Sequence, residues 1–337
     1  MDAGTAAKPP LGARVLVSRD RFARLLAVLG EDGFDVVGPT VRGGAITTDR
    51  IRGIDDLPRG VGDEQGPGRY RLRERGDDAL FGWAVGPNGP KRELFAPRAE
   101  LVQLRRGPKG LRVEEPARGY RPLAFVGVRP CEVAAILVQD RTFLAGHDPD
   151  YAARRAGAFV LAVSCGDPGG TCFCASMGTG PRARTGFDLA AVELVGPPHR
   201  FVVDVGTEAG AARLARAGYE PASEADLSAA DARVTEAESR MGRHLDTEGL
   251  KEALQAAPEH PRWDEVADRC LGCTNCTMAC PTCFCSTVED TTDLSGDLAT
   301  RSRRWDSCFT MDFAYVHGGT VRPSLRARYR QWLTHKL

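Results

Sequence analysis

The sequence predicts a mixed fold (α+β / α/β). Mixed α/β regions extend to about residue 222, and a mainly helical domain follows them. Two observations indicate this. Apolar runs of strand length alternate with segments of helical periodicity up to about residue 222. Beyond residue 223, good helix formers with acceptable capping residues dominate. The character of the sequence changes near residues 116 and 223, which divides the chain into regions 1–115, 116–222 and 223–337.

Length and charge narrow the class of protein. The 337 residues are enough for two or three domains with their own cores, and 42% of them are hydrophobic, as in globular proteins. Forty-five basic residues balance forty-five acidic ones, so no global field attracts nucleic acid or an anionic membrane. The N-terminus lacks the pattern of a signal peptide, and no stretch approaches about 18–20 apolar residues. We therefore expect a cytoplasmic protein that binds neither nucleic acid nor a membrane.

Region 1–115 begins with a predicted strand, helix and strand. The stretch "RVLVSRDRFARLLAVLGEDGFDVVGPTV" places Phe22, Leu25, Leu26 and Leu29 at helical spacing. The following Gly- and Pro-rich stretch is typical of short strands joined by tight turns. Nothing in the region resembles a catalytic constellation, so we predict a structural or docking role for it.

Region 116–222 contains a predicted strand–helix–strand unit. "LAFVGV" (123–128) and "AFVLAVSC" (158–165) are apolar strands, and "RPCEVAAILVQDRTF" opens the helix between them. Cys131 and Cys165 thus follow strand ends, where open α/β sheets place ligands. "FDLAAVELV" and "RFVVDVG" indicate a further hairpin. "GTGPRA" (178–183) satisfies G-x-G-x-x-A but follows no predicted strand and contains a proline, which argues against a dinucleotide site.

Region 223–337 ends in a predicted helix, "RPSLRARYRQWLTHKL". Its basic residues lie near Tyr329 and Trp332, and we interpret them as a solvated basic face over an apolar stripe rather than a recognition surface. These basic residues are Arg326, Arg328, Arg330 and Lys336.

The chain has eleven cysteines, and their spacing points to metal ligation. The cytosol keeps thiols reduced and a core of this size needs no disulfides. "CLGCTNCTMACP" places Cys270, Cys273, Cys276 and Cys280 as C-x2-C-x2-C-x3-C-P, the bacterial ferredoxin run. In that run three thiolates hold one [4Fe–4S] cube and the fourth ligates a neighbouring cube. The two-residue intervals let the backbone curl so that successive thiolates meet adjacent iron corners.

Zinc is the alternative metal. Cys270, Cys273, Cys280 and Cys283 form C-x2-C-x6-C-x2-C. The interval of six is shorter than is usual for zinc ribbons, and zinc would leave Cys276 and Cys285 without a role. The sequence therefore favours iron–sulfur clusters in a ferredoxin-like domain.

The four letters TCFC occur twice and belong to a longer repeat. Cys165, Cys172 and Cys174 are spaced C-x6-C-x-C, as are the three cysteines of the second copy. Cys131, at a helix N-terminus that favours a thiolate, is a plausible fourth ligand of the first group, although Cys131 and Cys165 could instead pack as small hydrophobes. The second copy consists of Cys276, Cys283 and Cys285, and Cys308 could complete that group.

Counting thiolates limits the number of clusters. Two [4Fe–4S] clusters need eight thiolates, and three would need twelve, one more than the chain contains. We expect at least two clusters. A third would require a ligand other than cysteine, for which Asp306 or one of the six histidines is a candidate.

Several long motifs resemble one family. They are "LAFVGVRPCEVAAILVQDRTF", "SCGDPGGTCFCASMGTGP", "RCLGCTNCTMACPTCFC" and "RRWDSCF", with "GPGRYRL" and "ALFGWAVGP" upstream and the terminal "HKL". From about residue 15 to the end, the chain resembles the beta subunits of cytoplasmic sulfhydrogenases, which are bidirectional nickel–iron hydrogenases coupled to NADP. The electron-transfer subunit of anaerobic sulfite reductases has a related pattern. "VHGGTVRP" is rearranged relative to the family's usual order, so His317 receives no role.

The resemblance implies an iron–sulfur electron-transfer subunit with a dicluster module at its C-terminal end. It implies that Cys270, Cys273, Cys276 and Cys280 are cluster ligands. Cys283, Cys285 and Cys308 would fill the second site. The implied partners are the small and large nickel–iron subunits together with a flavin- and NAD(P)-binding gamma-type subunit, or the corresponding sulfite reductase subunits. No catalytic constellation is visible, so we expect the chemistry to lie in the partners. A zinc-stabilised scaffold without redox function is the alternative of another class.

Overall fold

The computed structural model describes residues 7–86, 88–116 and 118–337. The strands are β1 Arg14–Ser18, β2 Asp35–Arg42, β3 Ala45–Arg50, β4 Val61–Gly66, β5 Arg69–Glu74, β6 Arg98–Gly107, β7 Gly110–Glu114, β8 Leu123–Val128, β9 Phe159–Val163, β10 Leu189–Leu194, β11 Arg200–Val205, β12 Glu220–Pro221, β13 Ser286–Thr292, β14 Leu298–Trp305, β15 Tyr315–Val316 and β16 Gly319–Thr320. The helices are α1 Arg19–Glu31, α2 Lys91–Leu94, α3 Pro130–Phe143, α4 Pro149–Arg155, α5 Glu208–Ala217, α6 Glu224–Ser239, α7 Leu250–Ala256, α8 Arg262–Ala267, α9 Asn275–Ala279 and α10 Leu325–Thr334.

These elements form two compact units. The first comprises the described parts of Met1–Leu94 and Tyr120–Leu245, and the second comprises the described parts of Phe95–Gly119 and Asp246–Leu337. Strands β6 and β7, which lie early in the sequence, therefore belong to the same unit as the C-terminal cysteines.

The first unit is built on an eight-stranded sheet in the order β12-β1-β11-β10-β9-β8-β2-β3. Its four central strands, β2, β8, β9 and β10, are parallel to one another. Strands β3 and β11 pair antiparallel at the two sides of this parallel group, so the sheet is mixed. The predicted unit β8–α3–β9 and the hairpin β10–β11 are both present. Because β8 and β9 are parallel, their carboxyl ends lie at the same edge of the sheet.

Both faces of this sheet carry buried apolar side chains. Helix α1 buries the predicted Phe22, Leu25, Leu26 and Leu29 in the main core, where the Phe22 and Phe201 rings stack with centroids 4.3 Å apart. Helix α6 contributes to a second cluster. That cluster consists of Val192, Leu194, Val202, Ala230 and Val234. The alternation along β10, with Leu189 and Ala191 in the main core and Val192 in the second, is that of a strand covered on both faces.

The second unit is mixed rather than mainly helical. Helices α7 to α10 accompany a four-stranded antiparallel sheet in the order β13-β14-β6-β7. The prediction of a mainly helical C-terminal domain is therefore not confirmed. The reason lies in "VEDTT" and "ATRSRRW", whose β-branched residues occupy a hairpin that pairs with β6, a strand nearly 200 residues away in sequence. Within the described residues, no helix has the length and apolarity that a bilayer crossing requires.

Candidate iron–sulfur centres

The first cysteine group lies at the carboxyl edge of the parallel strands in the first unit. Cys131 is in the first turn of α3, directly after β8, and Cys165 follows β9. The backbone N–H of Cys165 donates to the carbonyl of Pro181 at 3.0 Å, which holds the strand end against the loop that follows. Cys172 and Cys174 lie in the segment between β9 and β10. The fold thus brings Cys131, the candidate fourth ligand, near the three cysteines of the first repeat, whose charges act on its pKa.

The four thiols of this group influence one another electrostatically. Burial raises the pKa of Cys131 well above its usual value, and the charges of Cys165, Cys174 and Cys172 act in the same direction. Burial likewise raises the pKa of Cys174 to about 12, with Cys165 and Cys172 adding to the effect. A metal centre reverses this preference, because coordination deprotonates a thiol outright. The four thiols are therefore near enough to influence one another's protonation, and their ligation of a cluster stays a prediction.

The loop that carries Cys172 is packed too closely for larger residues. A Cβ atom at Gly242 would lie 2.1 Å from the carbonyl oxygen of Gly170, and one at Gly180 would lie 2.8 Å from the Sγ atom of Cys174. The backbone N–H of Arg243 donates to the carbonyl of Cys172 at 3.1 Å. The loop therefore packs closely against residues 242–243 and against Gly180.

A buried cation lies beside the first group. Arg129, the residue before α3, is fully buried and donates from Nη2 to the carbonyls of Phe81 at 2.7 Å and Trp83 at 2.8 Å. Its Nε atom is buried and has no hydrogen-bond partner among the described residues. Burial raises the pKa of Cys165 and of Cys172, whereas the Arg129 charge lowers both. A cation in this position favours thiolates, so the site fits the anionic ligands of an iron–sulfur cluster.

The second group is assembled in the second unit from three segments. Cys270 follows α8, and Cys273 lies just before α9. Cys276 lies in α9, and Cys280 comes just after that helix. Cys283 and Cys285 precede β13, and Cys308 follows β14. The antiparallel pair β13–β14 places Ser286 opposite Trp305, and the N–H of Asp306 donates to the carbonyl of Cys285 at 2.9 Å. The hairpin thereby brings Cys308 back to cysteines more than twenty residues earlier.

The backbone of the ferredoxin run is turned so that amides face thiols. Gly272 and Thr274 have positive φ angles of 63° and 65°. The backbone N–H of Gly272 donates to the Sγ atom of Cys270 at 3.4 Å. Burial raises the pKa of Cys276, while the N–H groups of Thr277 and of Cys276 itself act to lower it. Such amide–thiolate contacts fit a loop that holds a cluster, and they agree with the curl expected from the spacing.

The remaining cysteines of the second unit form two close pairs. A hydrogen bond with Cys308 lowers the pKa of Cys285, and a hydrogen bond with Cys283 lowers the pKa of Cys280. The partners Cys308 and Cys283 have raised pKa values for the same reason. Cys308 is buried, whereas Cys273 and Cys276 are exposed. The second group therefore extends from the interior of its unit to the surface.

Lys336 contacts one of these pairs. Its Nζ atom lies 3.1 Å from Sγ of Cys280 and 3.2 Å from Sγ of Cys283, and 3.3 Å from Oγ1 of Thr282. Burial by itself would lower the pKa of Lys336, but the charges of Cys280 and Cys283 and their hydrogen bonds raise it overall. The ammonium group is thus an additional element of the site.

The predicted solvated basic face of the terminal helix needs correction. Arg328 is buried and donates to the backbone carbonyls of Arg322 at 2.8 Å, Phe309 at 3.2 Å and Pro323 at 2.9 Å. Lys336 points to thiols rather than to water. A guanidinium group has enough donors to satisfy several carbonyls at once, which explains why burial of Arg328 is tolerated. Sequence periodicity could not reveal these contacts, because they join the helix to loops outside it.

The candidate non-cysteine ligand Asp306 lies at the second group. Its side chain is buried, and its Oδ1 atom accepts a hydrogen bond of 2.7 Å from the N–H of Ser307. Its charge acts to raise the pKa of Cys285, although the hydrogen bond with Cys308 outweighs this effect. In the described part of the chain, no three or more His, Cys, Asp or Glu side chains form a group that could hold a metal ion as they stand. Ligation by Asp306 stays a prediction.

Comparisons with known proteins identify the family of the chain. Residues 269–337, which contain all seven cysteines of the second group, match a family described as a 4Fe-4S dicluster domain. The chain is 33% identical over 245 residues to the sulfhydrogenase 2 subunit beta of Pyrococcus furiosus, an alignment that covers 72% of this chain and 70% of the relative. No solved structure matches the chain. With its C-terminal dicluster domain, the chain belongs to the family of sulfhydrogenase beta subunits.

Proposed function

We propose that the chain is the iron–sulfur electron-transfer subunit of a sulfhydrogenase-type complex. It relays electrons between the nickel–iron hydrogenase subunits and a flavin- and NAD(P)-binding gamma-type subunit. The observation that carries the proposal is the assembly of seven cysteines from three segments of the second unit, within a sequence that matches a 4Fe-4S dicluster domain. Iron–sulfur clusters accept and release single electrons, which is the chemistry that a relay requires.

The cysteines divide between two sites in this proposal. Cys270, Cys273, Cys276 and Cys280, with Cys283, Cys285 and Cys308, hold the two clusters of the dicluster domain. These seven thiolates are one fewer than two clusters need, so the eighth ligand is a residue other than cysteine, for which Asp306 is the candidate. Cys131, Cys165, Cys172 and Cys174 hold a further cluster in the first unit. The neighbouring thiols of each group support this division, as do the Arg129 charge at the first group and the Lys336 contacts at the second.

The protein's own residues supply the environment of these sites. Burial around Cys131 and Cys165 raises the pKa of both thiols, and the Arg129 charge acts to lower the pKa of Cys165. In the second unit, the Gly272 amide orients Cys270 and the β13–β14 hairpin positions Cys308 beside Cys285.

The name of the Pyrococcus furiosus relative favours a hydrogenase over an anaerobic sulfite reductase as the complex. The proteins that co-purify with the chain distinguish the two, since nickel–iron subunits accompany the first and sulfite reductase subunits the second.

Metal analysis tests the proposal directly. Protein purified without oxygen is expected to be brown and to contain at least about eight irons per chain with matching acid-labile sulfide, as two [4Fe–4S] clusters require. Stoichiometric zinc without sulfide would contradict the proposal and would support the zinc-stabilised scaffold instead.

A further inference from the structure

We propose that Lys336 is a positioning residue that acts through the thiolates of Cys280 and Cys283 and raises the reduction potential of the cluster they hold. The inference rests on the proposed function, because it assumes that these cysteines are cluster ligands. It goes beyond that function by assigning to one side chain the control of an electron-transfer property.

The contacts that carry the inference are direct. The Nζ atom of Lys336 lies 3.1 Å from Sγ of Cys280 and 3.2 Å from Sγ of Cys283. A third contact, at 3.3 Å, joins it to Oγ1 of Thr282, and this hydroxyl lies 3.2 Å from the Cys280 sulfur. An ammonium group has three donors, so it can serve both sulfurs and the hydroxyl at once.

The terminal helix holds this ammonium in place. Lys336 lies just beyond α10, and its backbone N–H donates to the carbonyl of Leu333 at 3.1 Å, which continues the helical path. The side chain passes near the Trp332 ring, whose centroid is 5.9 Å from Nζ. Trp332 in turn packs edge-on against Phe309, with ring centroids 6.2 Å apart. The helix is thus anchored to the segment that carries Cys308, and the Lys336 side chain approaches the thiols from a packed element.

Electrostatics gives the direction of the effect. Reduction adds a negative charge next to the thiolates, and a cation in hydrogen-bond contact with them stabilises the reduced form more than the oxidised form. Net charge and hydrogen bonds to sulfur are among the properties that set the potentials of iron–sulfur clusters. Unit charges at this separation interact strongly in a partly buried site. We expect Lys336 to favour reduction by at least about tenfold, which is about 59 mV for a one-electron couple.

The decisive experiment compares two substitutions that separate charge from hydrogen bonding. Lys336→Gln removes the charge but keeps a donor, and Lys336→Arg keeps both. The control is Arg330→Gln, which removes one positive charge from the same helix, where the guanidinium pairs with Glu259 at 2.9 Å and with the carbonyl of Pro258 at 2.5 Å. Each full-length protein is purified without oxygen, analysed for iron and sulfide, and titrated with a reductant while the cluster signals are followed by EPR.

We expect one cluster signal in Lys336→Gln to titrate at a potential at least about 59 mV more negative, at unchanged iron content. Lys336→Arg and Arg330→Gln should keep the parent potential. Equal potentials in Lys336→Gln and Lys336→Arg would overturn the inference, as would a loss of iron in both, since that result shows a purely structural role. Neither result affects the proposed function, whose failure would appear instead as a parent protein without iron and sulfide.

Discussion

At the scale of single residues, each candidate centre combines several thiols with a cation from its own unit. Arg129 is fully buried and bound to the carbonyls of Phe81 and Trp83, so its charge is fixed beside Cys165. In the second unit, the Lys336 ammonium lies in the same way beside the sulfurs of Cys280 and Cys283. A buried cation is costly unless it is compensated, and in the proposed function the negatively charged clusters supply that compensation.

Reciprocal substitutions of two cysteines test the division of ligands between the units. Cys172→Ser should remove about four irons and one EPR signal while the signals of the dicluster domain persist, because Cys172 lies in the first unit. Cys273→Ser should instead remove a signal of the dicluster domain while the signal of the first group persists, since Cys273 lies in the second unit. Iron analysis and EPR of both variants provide the measurement. If Cys172→Ser keeps the full iron content and all signals, the first group packs as ordinary thiols and holds no cluster.

At the scale of elements, the segments between strands determine where the sulfurs lie. The carboxyl ends of β8 and β9 place Cys131 and Cys165 at one sheet edge, and the hairpin β13–β14 returns the chain so that Cys308 reaches Cys285. Close backbone packing then fixes the loop of Cys172, where Gly242 leaves no room for a Cβ atom next to Gly170.

Two glycine substitutions separate this packing from a general effect of added side chains. Gly242→Ala would place its Cβ 2.1 Å from the Gly170 carbonyl oxygen, so the loop of Cys172 must shift, and we expect iron bound by the first group to fall. Gly30→Ala is the control, because no atom lies within 4 Å of its Cβ and the residue is in α1. It should leave the iron content unchanged and stabilise the protein by about 0.5–1 kcal/mol. Iron content per chain and the melting temperature of both variants are measured. Full iron in Gly242→Ala would show that the loop adapts and that the close packing is unimportant.

At the scale of the whole molecule, two compact units each carry one cysteine group. The first builds its group on a mixed sheet and the second on an antiparallel hairpin with short helices. This arrangement suits the proposed relay, in which the chain supplies redox centres to a larger complex and the partner subunits supply the substrate sites.

The relay predicts different behaviour for the chain alone and in its complex. The purified chain should evolve no hydrogen and reduce neither sulfite nor NADP⁺, because the proposal assigns those reactions to partner subunits. A complex that contains the Cys273→Ser variant should lose electron flow from hydrogen to NADP⁺ while its nickel–iron subunits still oxidise hydrogen with an artificial dye. The measurement is the rate of hydrogen-dependent NADP⁺ reduction and the rate of dye reduction by the variant complex. Reduction of NADP⁺ by the isolated chain with a natural donor would refute the relay.

The sequence by itself determined the features that depend on neighbouring residues. The ferredoxin run from Cys270 to Cys280 and the C-x6-C-x-C repeat predict ligand groups, because a loop that holds a cluster needs its thiolates at short, regular intervals. Local periodicity likewise predicted α1 and the strand–helix–strand unit β8–α3–β9, since each buries its own apolar stripe.

The tertiary structure alone decided the features that join distant segments. The pairing of β14 with β6 made the second unit a mixed rather than a mainly helical one, and no pattern within 223–337 indicates a partner strand in the first third of the chain. The contacts of Arg129 with Phe81 and of Lys336 with Cys280 are of the same kind. Periodicity and spacing describe a residue's neighbours along the chain, whereas hydrogen bonds and charges act on whichever groups the fold brings within a few ångströms.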